Sequence, residues 1–490
     1  MKKQSFTILL VLLINMISTK AFAYDIAVQN ADGVTIYYNY INDGNELEVT
    51  NSKYLGNVVI PEEVTYMSRT LKVTRVGDYA FDYCTNLTSV TIPNSVISIG
   101  DYAFYDCSGL KSVTIPNSVT SIGYVAFCGC NGLTSINIGN SVTSIGVSAF
   151  YDCSGLTSVT LPNSVTSIGY GAFSFCRSLA SISVGSGNAI YDSRDNCNAI
   201  IETSTNTLIC GCQNTIIPNS VTNIDVYALL GCLGLTSITI SNNVKSIGNG
   251  AFSYCTDLES ITIALGNAIY DSRDNCNAII ETATNTLISG CKNTIIPNSI
   301  TSIGEYSFFG CLDLTSVTIP YSVKSIGDYA FRECSGLKSV TIPNSVKSIG
   351  QQAFFDSSVT SVTIGNNVKS IDRQAFFCPI ENVYCYAEQV PNATIGSNPA
   401  FYHKTIANAT LHVPATSIDD YKAAETWKEF GSIVALTDED PSPTGITNIY
   451  QDSATERQYY SLDGKRSSTP LRGLNIIKMS NGTTRKVVIR

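Results

Sequence analysis

Residues 103–130 run Ala-Phe-Tyr-Asp-Cys-Ser-Gly-Leu-Lys-Ser-Val-Thr-Ile-Pro-Asn-Ser-Val-Thr-Ser-Ile-Gly-Tyr-Val-Ala-Phe-Cys-Gly-Cys, which is one complete repeat and the start of the next. The pair Ala103-Phe104 returns 23 residues later as Ala126-Phe127. The same pair, or a degenerate Ala-Leu or Ser-Phe version, also occurs at Ala80-Phe81, Ala149-Phe150, Ala172-Phe173, Ala228-Leu229, Ala251-Phe252, Ser307-Phe308, Ala330-Phe331, Ala353-Phe354 and Ala375-Phe376. A fixed period in the range of roughly 20 to 50 residues is typical of architectures in which each unit packs only on its neighbours. The sequence therefore predicts a solenoid.

The apolar residues of one unit predict a coil that contains a short strand. They fall at Leu110, Val113, Ile115, Val119, Ile122, Ala126, Phe127 and Cys130. Pro116 ends the strand because it lacks the N–H that a ladder requires, and Gly123 allows a tight bend. We expect neighbouring strands to stack at roughly 4.8 Å, so that eleven units make a strip of about 50 to 60 Å.

The pattern Leu-x-x-Val-x-Ile-Pro-x-Ser-Val-x-x-Ile-Gly-x-x-Ala-Phe-x-x-Cys resembles the BspA-like class of leucine-rich repeat found in Bacteroidota surface proteins. It spans about two-thirds of the chain in 11 copies. The resemblance implies an α/β-poor, right-handed leucine-rich-repeat superhelix with parallel strands on its concave face. It also implies a non-enzymatic protein that binds macromolecules, for example in adhesion to host proteins or to other cells. The unit lacks the regular Asn ladder of common leucine-rich repeats and has Ser118 near that place.

The N-terminus predicts a secretory signal peptide over residues 1–23. Lys2 and Lys3 precede an apolar run over residues 6–17, and Ala21-Phe22-Ala23 is a small-x-small cleavage site. The run is too short for a membrane span, and the alternative is a buried N-terminal helix. We therefore expect a mature chain that begins at Tyr24, has no transmembrane segment, and is secreted or held on the outer cell surface.

The charge balance argues against nucleic acid as a partner. Without residues 1–23 the chain has 27 Lys and Arg and 39 Asp and Glu, a net charge of −12. Residues 459–490 carry seven basic residues and one acid, so the rest of the mature chain has a net charge of −18. Phosphate binding needs a basic face, which this acidic body does not offer.

The chain order predicts six regions. The signal peptide is followed by an N-terminal β cap over residues 24–58, with strands at 34–41 and 47–50, and by the solenoid over 59–385. A C-terminal cap over 386–436 combines a strand at 409–414 with a helix at 418–430, for which Ser417 is the expected N-cap and Gly431 the end. Residues 437–458 have the composition of a linker.

Residues 459–490 predict a module of three short strands. With its turn at Asp463-Gly464, the module resembles the C-terminal sorting modules of type IX secretion cargo, although Lys465 stands where Arg is usual. The alternative is a small β module for stability or attachment.

Two units carry inserts of 33 residues, near 185–217 and 264–296. Their sequences are near copies, since Gly187–Thr203 returns as Gly266–Thr282. Residues 199–203 and 207–210 predict a hairpin. Asp192, Asp195 and their copies Asp271 and Asp274 lie in Asn-rich turns, where either a Ca²⁺ site or a solvated turn is possible.

The residues offer no catalytic, metal or cofactor motif. The only histidines, His403 and His412, lack Cys or Glu at metal spacing, and no phosphate-binding or dinucleotide-binding motif occurs. Among the 17 cysteines, nine share one phase of the repeat: Cys84, Cys107, Cys130, Cys153, Cys176, Cys232, Cys255, Cys311 and Cys334. Secretion favours disulfides, but stacked coils give parallel Cβ vectors, which favour a ladder of free, buried thiols.

The outward strand positions predict a face of small hydroxyls. They are Ser89/Thr91, Ser112/Thr114, Ser135/Asn137, Ser158/Thr160, Ser181/Ser183, Ser237/Thr239, Ser260/Thr262, Ser316/Thr318, Ser339/Thr341 and Ser361/Thr363. The face lacks the aromatic and Arg anchors that dominate tight interfaces.

Tyrosines instead gather beside the Ala-Phe turns, and they form our candidate binding edge for a protein or other macromolecule. They are Tyr79, Tyr83, Tyr102, Tyr105, Tyr151, Tyr170, Tyr227, Tyr306 and Tyr329. The alternative is that these rings only pack the rim between coils. At the level of function the alternatives are an envelope spacer without a ligand and a hydrolase acting on glycans, which would need a carboxylate pair in a pocket.

Overall fold

The computed structural model describes residues 24–443 and, in the tail, the strands Gln458–Tyr460, Arg466–Ser467, Gly473–Lys478 and Thr484–Ile489. The predicted signal peptide, residues 444–457 and the Asp463-Gly464 turn lie outside the described residues. The described chain is a β-solenoid of about 17 turns with a period of about 23 residues and little helix, which confirms the predicted fold class.

The first side of each coil contributes to a parallel strip, here called the first strip. Its strands are Gly56–Val59, Leu87–Thr91, Ser112–Thr114, Ser135–Asn137, Ser158–Leu161, Ser181–Val184, Ser237–Ile240, Ser260–Ile263, Ser339–Ile342, Ser361–Ile364, Asn382–Cys385, Thr410–Val413 and Ser432–Ala435. Ser112 pairs with Ser89 on one side and with Ser135 on the other. Equivalent residues of successive units therefore lie directly beside one another.

The return segment of each coil forms a second strip, which we did not predict. Its strands are Arg69–Val76, Ser98–Ile99, Ser121–Ile122, Ser144–Ile145, Ser167–Ile168, Asn223–Ile224, Ser246–Ile247, Ser302–Ile303, Ser325–Ile326, Ser348–Ile349, Ser370–Ile371 and Asn392–Ala393. Ser121 and Ile122 pair in parallel with Ser144 and Ile145. Each Ile is directed into the core while its Ser is outside, so two residues per coil suffice for a continuous ladder.

The third side is the Ala-Phe turn, whose rings form the core. The Phe104 N–H donates to the Ala126 carbonyl of the next coil at 2.7 Å. Phe81, Phe104, Phe127, Phe150 and Phe173 form one stack with ring centroids 4.8–5.2 Å apart. Phe308, Phe331, Phe354, Phe376 and Phe401 form a second stack at 5.0–5.4 Å. Burial of each ring stabilises the fold by about 2–3 kcal/mol, which explains why the Ala-Phe pair marks the period.

The N-terminal hairpin was predicted correctly and gains one strand. Ile26–Gln29, Thr35–Ile41 and Glu46–Val49 pair antiparallel in that order. Glu46–Val49 then pairs in parallel with Arg69–Val76, which also forms a hairpin with Glu63–Tyr66. The hairpin side chains thus continue the core at the end where the first coil begins.

Both inserts fold as predicted hairpins with an additional short strand. The strands are Tyr191–Asp192, Ala199–Glu202 and Thr207–Gly211 in the first insert, and Tyr270–Asp271, Ala278–Glu281 and Thr286–Gly290 in the second. Within each insert the pairing is antiparallel, and the last strand joins the second strip in parallel. The 3-10 turns Arg194–Asn196 and Arg273–Asn275 precede the hairpins.

The C-terminal cap differs from the prediction. Its α-helices are His403–Ile406 and Ile418–Ala423, and its 3-10 turns are Ala415–Ser417 and Trp427–Glu429. The predicted helix over 418–430 is wrong beyond Ala423, because Ala424 is extended and Thr426 has a φ of 62°. This bend brings Trp427 into the core, where its Nε1–H donates to the Pro391 carbonyl at 3.0 Å.

Two further details correct the predictions. The Ser417 hydroxyl does not cap the helix and instead donates to the Glu388 carbonyl at 2.8 Å. The described part of the tail has four antiparallel strands, one more than predicted, because Arg466–Ser467 pairs with the outer side of Gln458–Tyr460.

Candidate binding surface

Ten of the eleven Ala-Phe turns have two backbone positions in the left-handed region, and the turn at Ala375-Phe376 has one, at Gln374. Around Ala103-Phe104 they are Tyr102 and Asp106, both with a φ of 55°. The equivalent positions in other coils include Gly129 and Gly171. Glycine occupies this region freely, whereas other residues pay roughly 1 kcal/mol or more. The sequence signal was the occasional Gly at these positions, which we did not use.

Eight aromatic residues occupy these left-handed positions. They are Tyr79, Tyr83, Tyr102, Phe175, Tyr227, Tyr254, Tyr306 and Tyr329. Bulky residues persist there only where the surroundings compensate for the strain, and such strain concentrates at functional sites. The fold itself accepts glycine at the same positions, so it does not require these rings.

The N-terminal part of the edge joins four of the predicted tyrosines. Tyr79 stacks on Tyr102 with centroids 4.8 Å apart, and Tyr83 meets Tyr105 edge-on at 5.2 Å. Tyr79 and Tyr83 remain 47% and 58% exposed. The structure adds Tyr124, which contacts Tyr102 at 5.3 Å. A hydrogen bond to Tyr83 raises the pKa of Tyr105 to about 12, so this group is neutral at ordinary pH.

The central part of the edge is a row of rings that crosses both inserts. The successive rings are Tyr151, Phe175, Tyr254, Phe309, Tyr306 and Tyr329, with centroids 4.7–5.6 Å apart. Tyr227 lies 6.1 Å from Tyr306. Tyr170 is on the same side of the coils and is 62% exposed. Of these rings, we had not predicted Phe175, Tyr254 or Phe309.

Two glycines allow this row to be continuous. A Cβ on Gly231 would lie 2.7 Å from the Phe175 Cγ, and a Cβ on Gly310 would lie 2.5 Å from the Tyr254 Cγ. Each ring therefore lies over the backbone of the following coil. The row therefore depends on a glycine in each of the two coils that follow an insert.

One charged pair lies within the row. The Arg332 guanidinium is 4.7 Å from the Phe355 centroid and 5.5 Å from that of Phe309. Its Nε is 3.1 Å from Glu333 Oε1, and the Tyr254 hydroxyl donates to the same carboxylate. The edge therefore combines aromatic rings, hydroxyls and a half-buried Arg, which are the residue types that dominate binding hot spots.

The first strip has the predicted hydroxyl face, with two exceptions that we missed. Ile216 and Ile295 come from the coils completed by the inserts and occupy the position of Thr114 before the strand-ending Pro. They are 65% and 74% exposed. Ile216 and Ile295 are three coil steps apart, which corresponds to about 14 Å at the usual strand spacing. Two apolar side chains thus lie among the hydroxyls in the middle of this face, while its two ends carry Val59 and Val434.

The cysteines are free thiols, as we favoured. All 17 lie within residues 84–385, and none forms a disulfide. Cys107, Cys130, Cys153, Cys176 and Cys334 each donate a hydrogen bond to a Phe carbonyl of the preceding coil at 3.0–3.2 Å. The thiols therefore satisfy backbone acceptors that face the core.

In the acidic turns of the inserts, Asp192 and Asp271 are paired with arginines, whereas Asp195 and Asp274 are exposed. Arg194 binds the Asp192 carboxylate through two nitrogens and donates to Asn206 Oδ1 at 2.8 Å. The second insert repeats this arrangement with Arg273 and Asp271. In each insert the arginine thus neutralises the charge of the aspartate that it binds. Within the described residues, no three or more His, Cys, Asp or Glu side chains are arranged so that they could hold a metal ion.

The histidines lie in the C-terminal cap. His403 is exposed, whereas His412 packs on Tyr384 with centroids 4.4 Å apart. Its Nδ1 is 3.6 Å from Asp440 Oδ2. The start of the predicted linker, residues 437–443, therefore lies against the first strip.

No helix among the described residues is long and apolar enough to cross a membrane.

The repeat region matches a known family. The model of the BspA type leucine rich repeat region matches in six copies, over residues 74–200, 208–284 and 279–407. No curated protein matches the chain.

Several solved structures are similar. A leucine rich cell surface protein from Faecalibacterium prausnitzii A2-165 is 27% identical, with 89% of this chain and 100% of that chain covered and a TM-score of 0.47. A leucine rich repeat protein from T. pallidum is 29% identical, with 46% and 88% covered and a TM-score of 0.33. One from Bacteroides ovatus is 24% identical, with 84% and 100% covered and a TM-score of 0.35. With the family model matched over most of its length, the chain belongs to the BspA-type leucine-rich repeat family.

Proposed function

We propose that this protein is a non-enzymatic binding protein of the cell surface that holds a macromolecular ligand, most simply another protein, at its aromatic edge. The observation that carries the proposal is the presence of eight aromatic residues at left-handed backbone positions where the fold accepts glycine. Each ring carries backbone strain that glycine would avoid, so a use other than folding is the simplest explanation. A long row of equivalent sites also gains strength from many weak contacts.

The test is retention of the mature chain, residues 24–490, on immobilised matrix proteins and on bacterial surfaces. An edge variant changes Tyr79, Tyr83, Tyr306 and Tyr329 to Ser. A control variant makes the same change at Tyr66, which lies on the hairpin before the first coil. We expect retention of the wild type and the control and loss in the edge variant. Equal retention of all three proteins places the ligand elsewhere, and no retention above a scrambled solenoid contradicts binding.

The hydroxyl face of the first strip supplies a second location for the same function. Its most exposed apolar residues are Ile216 and Ile295 in the insert coils, since Val59 and Val434 on the strands at its two ends are only 39% and 36% exposed. A variant with both residues changed to Thr restores the plain repeat pattern. Loss of retention in this variant alone assigns the ligand to the first strip. Self-assembly of the mature chain without any retained partner favours the envelope-spacer alternative.

We also propose that the tail, residues 459–490, is an export address of the type IX kind. Its antiparallel sheet supports a compact module, and its basic charge contrasts with the acidic body. A chain truncated at Thr444 is expected to stay inside the cell envelope. If the truncated chain reaches the surface, the tail has a structural role.

A further inference from the structure

The residue before each Ser-Ile pair of the second strip has a structural role that Thr fulfils. In five coils this residue is Thr, and its hydroxyl donates to a backbone carbonyl of the preceding coil at 2.9–3.2 Å. These residues are Thr120, Thr143, Thr166, Thr222 and Thr301. The Thr hydroxyl thus adds a hydrogen bond between neighbouring coils without placing like charges beside one another.

Three successive coils replace this Thr with Lys. Lys324, Lys347 and Lys369 are exposed, and they are in register because the Lys347 N–H donates to the Lys324 carbonyl and the Lys369 N–H to the Lys347 carbonyl, both at 2.8 Å. None of the ion pairs in the described part of the chain involves them. Like charges on neighbouring strands are destabilising. These three lysines, here called the lysine column, therefore lower the stability of the fold at positions where Thr would suffice.

The residues that directly follow these lysines in sequence line a groove. Ser325, Ser348 and Ser370 pair in register along it, Asn392 continues the row, and the groove has a volume of ≈ 470 Å³. Two carboxylates also line it, and both are engaged by backbone N–H groups. Asp328 accepts from the Gln351 N–H at 2.8 Å, and Asp372 accepts from the Arg373 N–H at 2.7 Å and from the Thr394 hydroxyl at 3.2 Å.

We propose that the lysine column and its groove bind a linear acidic polysaccharide. Carboxylate or sulfate groups of successive sugars would lie over ammonium groups that repeat at roughly 4.8 Å, and sugar hydroxyls would bond the Ser and Asn side chains. The groove has no aromatic lining, and single-stranded nucleic acid depends on such rings for stacking. This proposal does not depend on the aromatic edge.

The test compares three forms of the mature chain on heparin, which carries sulfates, and on polygalacturonate, which carries carboxylates. The column variant is K324T/K347T/K369T. The control variant, K111T/K245T/K338T, removes the same charge from scattered coils. Neutral dextran and single-stranded DNA serve as reference polymers, and thermal melting shows that each variant is folded.

We expect wild type and control to bind at least one acidic glycan within about twofold of each other, with binding lost above about 0.5 M NaCl as charges are screened. The column variant should bind about tenfold more weakly, as three exposed ion pairs imply, while melting no earlier than wild type. Equal losses in both variants, no binding of either glycan by wild type, or tighter binding of DNA than of glycan would each overturn the proposal.

Discussion

Replacing Tyr306 by Gly and by Ala tests the strained backbone of the aromatic edge. Tyr306 has a φ of 57° and packs 5.6 Å from Phe309, which lies three residues later outside the left-handed region. Both replacements remove the ring, so their difference isolates the backbone. At Tyr306 the left-handed conformation favours Gly over Ala by about 1 kcal/mol. At Phe309 the usual entropic cost of Gly favours Ala by about 0.5–1 kcal/mol.

The assay is urea unfolding of the mature chain, followed by circular dichroism at a fixed temperature. The four variants are Tyr306→Gly, Tyr306→Ala, Phe309→Gly and Phe309→Ala. Their order of stability should be opposite at the two positions, with Gly more stable at position 306 and Ala more stable at position 309. This change of sign within one turn does not depend on how much stability each ring contributes. If the Ala variant is at least as stable as the Gly variant at position 306, the argument from left-handed positions fails.

Three further predictions concern packing, pH and the first strip. Gly231→Ala should lower stability by about 1–3 kcal/mol in thermal melts, because its Cβ would overlap Phe175, whereas an unchanged melting temperature would contradict the continuous row. Burial raises the pKa of Cys84, Cys210 and Cys255 to about 12. Unfolded thiols lose their protons from about pH 9, so stability should be constant below that pH and fall above it by about 1.4 kcal/mol per pH unit for each thiol. A flat alkaline melting profile would mean that the thiols are not buried. Ile216→Thr with Ile295→Thr should leave melting unchanged because both side chains are exposed, and a large loss of stability would show that they belong to the core.

The period and the direction of the side chains could be predicted from sequence because every unit repeats the same pattern of apolar and polar residues. Leu110, Val113 and Ile115 alternate as a strand must, and Phe104 recurs at a fixed interval. The prediction that the Cys130 thiol is a buried packing group is confirmed, since this thiol is free and fully buried. The sequence could not show that this thiol also satisfies the Phe104 carbonyl at 3.1 Å, because that contact joins different coils.

What was missed has a common physical origin. The second strip has only two residues per coil, too few for a periodic signal, and becomes a ladder only when Ser121 meets Ser144. The Ile418–Ala423 helix ends early because tertiary packing of Trp427 overrides the local helical pattern. The aromatic row required knowledge that the inserts bring Phe175 and Tyr254 within 5.0 Å although 79 residues separate them. The left-handed positions are set by the geometry of the turn. They are hard to predict from sequence, because many residue types besides Gly occupy them.

The most direct test of the central claim is one variant measured in two ways. Tyr79, Tyr83, Tyr306 and Tyr329 are changed together to Gly in the mature chain, and both the melting temperature and the retention on ligand-bearing surfaces are measured. If the rings are kept for binding, melting changes little, because relief of backbone strain offsets lost ring packing, while retention is lost. A marked fall in melting temperature with retention unchanged would show that the edge only packs the rim between coils.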